Sequence, residues 1–322
     1  MNSTQTKQAL LEVVFTYYPL SLVVVGTVLN LLTFLLFCRP LFLSRTAFHY
    51  LRAISLFDIM MLYGWNLDHY FNGRNELPLI SRSLSTCKFF SFLNYFAAQA
   101  SAWLRVFTCI DRYLALNNLS LYKRKINFHK TVLVIICLIL ITVFLLNSHI
   151  LILSCYTYLN SETNMTLISL DSRYYQLYPM WDYVNPAIYN CLPFILMSGF
   201  NGRIIYCLIQ IKRSSMVQSK IQYIQITIPL VISTLLFSIM TIPGTVVYAF
   251  FVPILSDKWY SAGLLHLLDS TLYTYHITSF ILYFIALREF RQELVCIIKC
   301  KFKTATTGDK YKATAARKTT KV

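Results

Sequence analysis

The sequence predicts an all-α membrane protein: a seven-transmembrane helix bundle with its N-terminus outside and its C-terminus cytosolic. Three observations carry this. Of the 322 residues, 57% are hydrophobic and 13% charged, more apolar surface than a soluble domain can hide. Seven apolar windows recur, at 14–38, 47–70, 88–110, 131–153, 184–209, 222–252 and 262–287. Each is near the ~20 residues that cross ~30 Å of hydrocarbon as a helix. With the N-terminus outside, 22 of the 29 Lys and Arg fall in the cytosolic segments Arg39–Arg52, Arg112–Lys130, Arg203–Lys220 and the tail from Arg288, as the positive-inside rule requires. In lipid every backbone N–H and C=O must be satisfied within the segment, so the windows are helices rather than isolated strands.

Each element has its own marks. Residues 1–13 read as an extracellular segment; no short apolar stretch with a cleavage-like site precedes the first window, so no signal peptide is expected. The first window contains "GTVLN", ending at Asn30, and the second contains "LFDIM", with Asp58 at its middle. An ionisable group at mid-membrane is costly, so a functional role is the default reading. The third window begins beside Cys87, carries Arg105, and runs into "TCIDRYLAL", where Asp111, Arg112 and Tyr113 stand together. From the span alone, Arg112 reads as a boundary charge neutralised by Asp111 or snorkelling to water. The fourth is uniformly apolar through "VIICLILITV". Pro193 interrupts the fifth and Pro243 the sixth, and proline removes a helix hydrogen bond and permits a bend. The transmembrane domain spans 14–300, and the basic, Thr-rich tail 301–322 has no apolar helical face, so it is expected to be disordered.

The composition also excludes. A basic chain can mean nucleic acid, but these basic residues flank apolar spans, so the lipid bilayer is the expected partner and no nucleic acid is. Transporters often show repeats or half-helices, and no repeat is visible. His49, His69, His129, His149, His266 and His276 never fall three or four apart, so no helical metal pair forms, and neither a metal site nor a zinc hydrolase is expected. No cofactor and no enzymatic activity are read here. Most of the cysteines lie in or near spans as small apolar residues; Cys87 and Cys155 fall on the outer, oxidising side. The sequons at Asn2 and Asn164 fall outside, and that at Asn118 falls on the cytosolic side.

Taken in this order, "GTVLN", "LFDIM", Cys87, "TCIDRYLAL", Pro193, Pro243 and "SFILYFIALREFRQEL" resemble the rhodopsin-like (class A) G-protein-coupled receptors. Within them the sequence is most similar to peptide receptors of the invertebrate FMRFamide-receptor type. The resemblance implies a plasma-membrane receptor for an extracellular ligand, a neuropeptide, that activates a heterotrimeric G protein. The alternative within the same scaffold is a chemosensory receptor for a small external molecule. Arrestin and a receptor kinase are implied at the Thr-rich tail. By resemblance, Asn30 and Asp58 form a polar pair tying the first, second and seventh spans. Arg112 is the switch that pairs with Asp111 at rest, and Tyr283 swings inward on activation. Pro193 and Pro243 are kink points, and Phe237 packs beneath the pocket. Cys87 and Cys155 form a bridge. "REFRQEL" is a short amphipathic helix along the membrane, with Cys296 and Cys300 as palmitate acceptors. The sequence departs from the family at the fourth-span tryptophan, which is missing, at Thr241 for tryptophan, at Ser279-Phe280 for Asn-Pro, and at Asn201 for tyrosine.

The same resemblance locates a ligand pocket. Asn94 stands where amine receptors have an aspartate, which disfavours small amines. Tyr273 stands where opsins have their retinal lysine. Around them Asp68, Asp182 and Asp269, with Tyr95, Trp181, Tyr183 and His266, form an acidic and aromatic rim suited to a cationic peptide end. Asp269 lies within a span and therefore has a partner or meets a ligand. Arg105 lies seven residues before Arg112, on the same helix face. An arginine at that depth is expected to pair with Asp58, beside Ser101, as an internal counter-charge where many receptors hold sodium; the alternative is snorkelling to cytosolic water.

Overall fold

A computed structural model describes residues 3–43, 45–117, 128–159, 166–169, 177–213, 221–258 and 260–299. Asn2, Asn118, Asn164, Cys300 and the 301–322 tail lie outside the described residues. The described chain is almost wholly helical: α1 (Ser3–Phe37), α2 (Ala47–Gly73), α3 (Leu84–Asn117), α4 (Phe128–Leu153), α5 (177–213), α6 (221–255), α7 (Ser261–Ala286) and α8 (Arg288–Ile298). One-turn helices, Pro40–Leu43 and Leu79–Arg82, punctuate the first two connections.

Four of these helices contain stretches long and apolar enough to cross a membrane: Val13–Phe37, Lys130–Leu153, Tyr183–Gln210 and Thr227–Leu255. That is the composition of a membrane protein. The windows 47–70, 88–110 and 262–287 form the long helices α2, α3 and α7 but fall short of that composition. These are the helices that carry Asp58, Asp68, Asn94, Gln99, Arg105, Asp269 and His276, and those side chains turn into the protein. Interior polar groups lower a helix's hydropathy without exposing charge to its surroundings.

The helices close into a ring. α1 packs on α2 and α7, α2 on α3, α5 on α6, and α6 on α7, while α3 runs through the middle and touches α2, α4, α5 and α6. A residue on α3 can therefore reach several neighbours at once. Phe37, Phe42, Phe48, Tyr283 and Phe290 form an aromatic cluster joining the end of α1, the start of α2, the end of α7 and α8. Amphipathic α8 buries Phe290 there, and its outer turns are clamped by Arg39–Glu293 at 3.1 Å and Arg45–Glu289 at 3.0 Å.

Element boundaries differ from the sequence expectation in four places. The 1–13 segment is helical from Ser3, because "STQTKQALLEVV" is rich in good helix formers. α3 continues through Asp111 and Arg112 to Asn117, since the two charges satisfy each other on the helix. After Cys155, whose φ is 63° in the left-handed region, a two-stranded antiparallel hairpin forms from β1 (Tyr156–Leu159) and β2 (Thr166–Ser169), with Tyr156 opposite Ser169. Lastly, α5 and α6 each contain a π-helical turn, Ala187–Cys191 and Val247–Phe251. Each turn ends two residues before a proline, Pro193 or Pro253, and the intervening residue donates its N–H five residues back, Leu192 to Ala187 and Val252 to Val247. A wider turn relieves the crowding a proline imposes on the preceding turn. The irregularity in α6 thus belongs to Pro253. Pro243, the expected kink, lies inside the regular run Ile221–Val246.

Candidate functional site

Functional side chains gather in three tiers along the bundle: a cavity at the end bearing the disulfide, a buried ionic centre, and a charged latch at the opposite end. Cys87 at the start of α3 is bonded to Cys155, with Cα atoms 6.3 Å apart. This pins the hairpin over the same end as the cavity. The six remaining described cysteines are free, Cys296 among them, half-buried on α8.

The cavity measures about 410 Å³. Its walls include Trp65, Asn94, Tyr95, Tyr189, Tyr248 and Tyr273, with Asp269 as its carboxylate. Asp269 is not alone. His69 Nε2 lies 3.1 Å from its Oδ2, and the Tyr248 hydroxyl donates to the same oxygen at 2.6 Å. α2, α6 and α7 are thereby tied across the mouth.

Of the expected rim, Asn94, Tyr95, Asp269 and Tyr273 line this cavity, and Asp68, Trp181, Tyr183 and His266 do not. Asp68 is a correction. It is buried, and its Oδ1 accepts the Leu79 N–H at 2.6 Å. Its carboxylate holds the start of the one-turn helix after α2, because those first N–H groups have no partner of their own. His266 is a second correction: it stacks on Phe15 at 5.2 Å and packs against His69 at 5.0 Å, outside the lining. Tyr183 is exposed and lies against Phe250, and Trp181 packs edge-on to His149 and Tyr95. The side chain of Asp182 lies outside the described residues.

Below the cavity, polar ties cross between helices. Asn147 donates to Gln99 at 2.8 Å, and Gln99 donates to Asn185 at 3.0 Å, linking α4, α3 and α5. Asn190, in the π turn of α5, donates to Thr245, and the Thr241 hydroxyl donates to Asn190 Oδ1 at 3.1 Å. The π turn and this tie sit together. Phe237 packs edge-on to Tyr189 and Tyr275.

The centre is ionic. Arg105 Nη2 lies 2.6 Å from Asp58 Oδ2. Asp58 is fully buried and Arg105 is 4% exposed. Ser101 donates to Asp58 Oδ1 at 2.7 Å, and His276 Nδ1 lies 2.8 Å from the same oxygen. The guanidinium also reaches Ser233 at 3.2 Å and Ser279 at 3.4 Å, and stacks over the Tyr275 ring at 4.9 Å. α2, α3, α6 and α7 meet on this pair, so the snorkelling alternative does not describe Arg105. Asn30 joins α1 to the cluster by donating to the His276 carbonyl at 2.9 Å. A buried pair is tolerable when most of its remaining lone pairs and protons are also bonded; the Ser101, Ser233 and Ser279 hydroxyls supply such bonds, while Arg105 Nε has no partner among the described residues.

At the far end Arg112 is 2% exposed. Its Nη2 and Nε lie 2.5 and 3.1 Å from Asp111 Oδ2. Thr46, just before α2, closes the ring by donating to Asp111 at 3.0 Å and accepting from Arg112 at 3.1 Å. Asn201 donates to Thr234 at 2.8 Å between α5 and α6. Tyr113 packs on Phe200, and Tyr283 is buried between Phe37 and Phe290.

Sequence reasoning missed His276, Ser233, Thr46, His69 and Tyr248. His276 had a signal: it lies seven residues after Asp269, two turns along one helix face. The others are joined to their partners only by contacts between helices, which no local spacing encodes. No protein-family model matches the sequence, and a comparison with curated proteins finds no match.

Proposed function

We propose that this chain is a seven-transmembrane receptor of the rhodopsin-like type, with the disulfide end outside the cell and the Arg112 end in the cytosol. In this reading an extracellular ligand occupies the aromatic cavity and a heterotrimeric G protein is activated at Arg112. The observation that carries the proposal is the course of the interior polar groups. They run from the Asp269 wall of the cavity, through the Asn190 and Asp58–Arg105 ties, to the buried Asp111–Arg112–Thr46 latch. A structural scaffold has no need for a closed ion pair buried at one end and a carboxylate-bearing cavity at the other. A two-state element whose equilibrium a ligand biases needs both.

The ligand of this proposal is a peptide whose cationic end enters the cavity, since carboxylate and aromatic rings together suit such a group. The volume favours a second reading. About 410 Å³ lies within the range of small-molecule sites and would enclose a small external molecule wholly but only the end of a peptide.

A ligand-independent experiment tests the receptor reading. Asp111→Asn removes the charge that holds Arg112, so basal G-protein activation should rise at matched surface expression, and Arg112→Ala should abolish it. Were neither variant to change activation of any G-protein family, the reading would be wrong. A panel of amidated peptides and small external molecules then separates the two ligand classes.

A further inference from the structure

We propose a second binding site, for an anionic phospholipid of the bilayer, in the crevice between α3 and α5 at the Arg112 end. The inference rests on the membrane reading above. The crevice has a volume of about 320 Å³ and is lined by Tyr113, Ile195, Leu196, Gly199, Phe200 and Arg203. Tyr113 and Phe200 pack with ring centroids 5.8 Å apart and form one wall. Gly199 opens the floor: a Cβ built there would meet no atom within 4 Å. Everything in the lining is apolar or aromatic except Arg203 at the mouth.

Arg203 is exposed, and among the described residues it makes no hydrogen bond or ion pair. Its depth is informative. The apolar stretch of α5 runs from Tyr183 to Gln210, so Arg203 stands about two helical turns, ~10 Å, inside its end. The long side chain is exposed there and snorkels, which carries the guanidinium to the phosphates of one leaflet. Ile195 lies ~12 Å back along the helix, inside the hydrocarbon. A cation at phosphate depth above an apolar trough is the shape of a phosphodiester headgroup with an acyl chain below it. Anionic rather than zwitterionic lipid is favoured because no carboxylate lines the crevice and the cytosolic leaflet carries the anionic lipids. An occupant there would lie against Tyr113, the neighbour of the latch arginine.

The test uses the full chain purified in detergent. Native mass spectrometry measures its adducts with equimolar phosphatidylserine and phosphatidylcholine of the same acyl chains. The first adduct should favour phosphatidylserine about fivefold, the effect of one arginine at an anionic surface. Arg203→Gln should erase that preference. Gly199→Leu should fill the crevice and reduce binding of both lipids. Gly202→Leu, where a Cβ also meets nothing within 4 Å but outside the crevice lining, should bind as the parent does. An unchanged preference in Arg203→Gln, or Gly199→Leu behaving like Gly202→Leu, would overturn the site. Displacement by glycerophosphoserine, the headgroup without chains, would also overturn it, by assigning the crevice to a free anion. No agonist or G protein enters this assay, so it fails or succeeds independently of the receptor reading.

Discussion

Replacing Asp58 with asparagine should destabilise the protein more than replacing Arg105 with leucine, and combining the two should recover much of the loss. The asymmetry follows from the partners. With Asp58→Asn, a permanent cation remains buried with only the Ser233 and Ser279 hydroxyls, at 3.2 and 3.4 Å, and the Tyr275 ring. With Arg105→Leu, Asp58 keeps its bonds to Ser101 at 2.7 Å and His276 at 2.8 Å. At a charge separation of ~4 Å and an effective dielectric of ~20 the pair is worth about 4 kcal/mol, matching the ~3–5 kcal/mol measured when one partner of a buried pair is removed. Asp58→Asn should therefore cost about 4 kcal/mol, a fall on the order of 8 °C in Tm. Arg105→Leu, which mainly breaks one charged hydrogen bond, should cost about 2 kcal/mol. The double variant removes the stranded cation and should come out at least about 2 kcal/mol more stable than the sum of the singles. The assay is thermal unfolding of the purified chain for all four members of the cycle. Its control exchanges sodium for choline at fixed ionic strength, which should leave Tm unchanged because a guanidinium already occupies the carboxylate. Additivity within ~0.5 kcal/mol, or a clear sodium effect on the parent, would refute the reasoning.

Three further outcomes are expected. Thr46→Val removes two hydrogen bonds to charged groups at the latch, each ordinarily worth ~1.5–3 kcal/mol, so basal G-protein activation should rise roughly tenfold or more; unchanged basal signalling at equal surface expression would show that Thr46 does not hold Arg112. Asp269→Asn should weaken cationic agonists more than about tenfold while sparing neutral ones, and Tyr248→Phe, which frees one carboxylate oxygen, should strengthen cationic ones; competition binding with matched ligand pairs reads both, and equal loss for both classes would assign Asp269 to structure. Serine at Cys87 or Cys155 should sharply reduce surface expression, since losing a native bridge removes ~2–5 kcal/mol, and non-reducing peptide mapping of the parent should recover the two in one peptide pair.

The opening stretch of α3's charged end illustrates how much the sequence made legible. "TCIDRYLAL" announced a charged pair at a helix end, and the spacing from Arg105 to Arg112 placed both on one face. Depth alone required a partner for Arg105, and the family resemblance pointed to Asp58. What the stretch did not contain was Thr46, brought to the pair by the turn before α2. Asp68 shows the opposite failure. A carboxylate near a helix end looks the same in sequence whether it faces a ligand or bonds the Leu79 N–H; only the fold of the following loop distinguishes them.

By itself, then, the sequence determined the helical class and most of the helix positions, because apolar runs and their breaks act over a few turns and depend on neighbours in the chain. It also determined that buried charges at Asp58, Arg105 and Asp269 needed compensation, because burying charge is costly wherever it occurs. Tertiary structure alone decided the remaining partners. His276 and Ser233 reach the ionic centre, and His69 and Tyr248 reach Asp269, because α3 threads the ring and α2, α6 and α7 converge. It likewise decided where the helices widen: the π-helical turns precede Pro193 and Pro253, and Pro243 is carried within the α-helical run Ile221–Val246. Hydrogen bonds between helices are set by packing across the bundle, at sequence separations where local pattern holds no information.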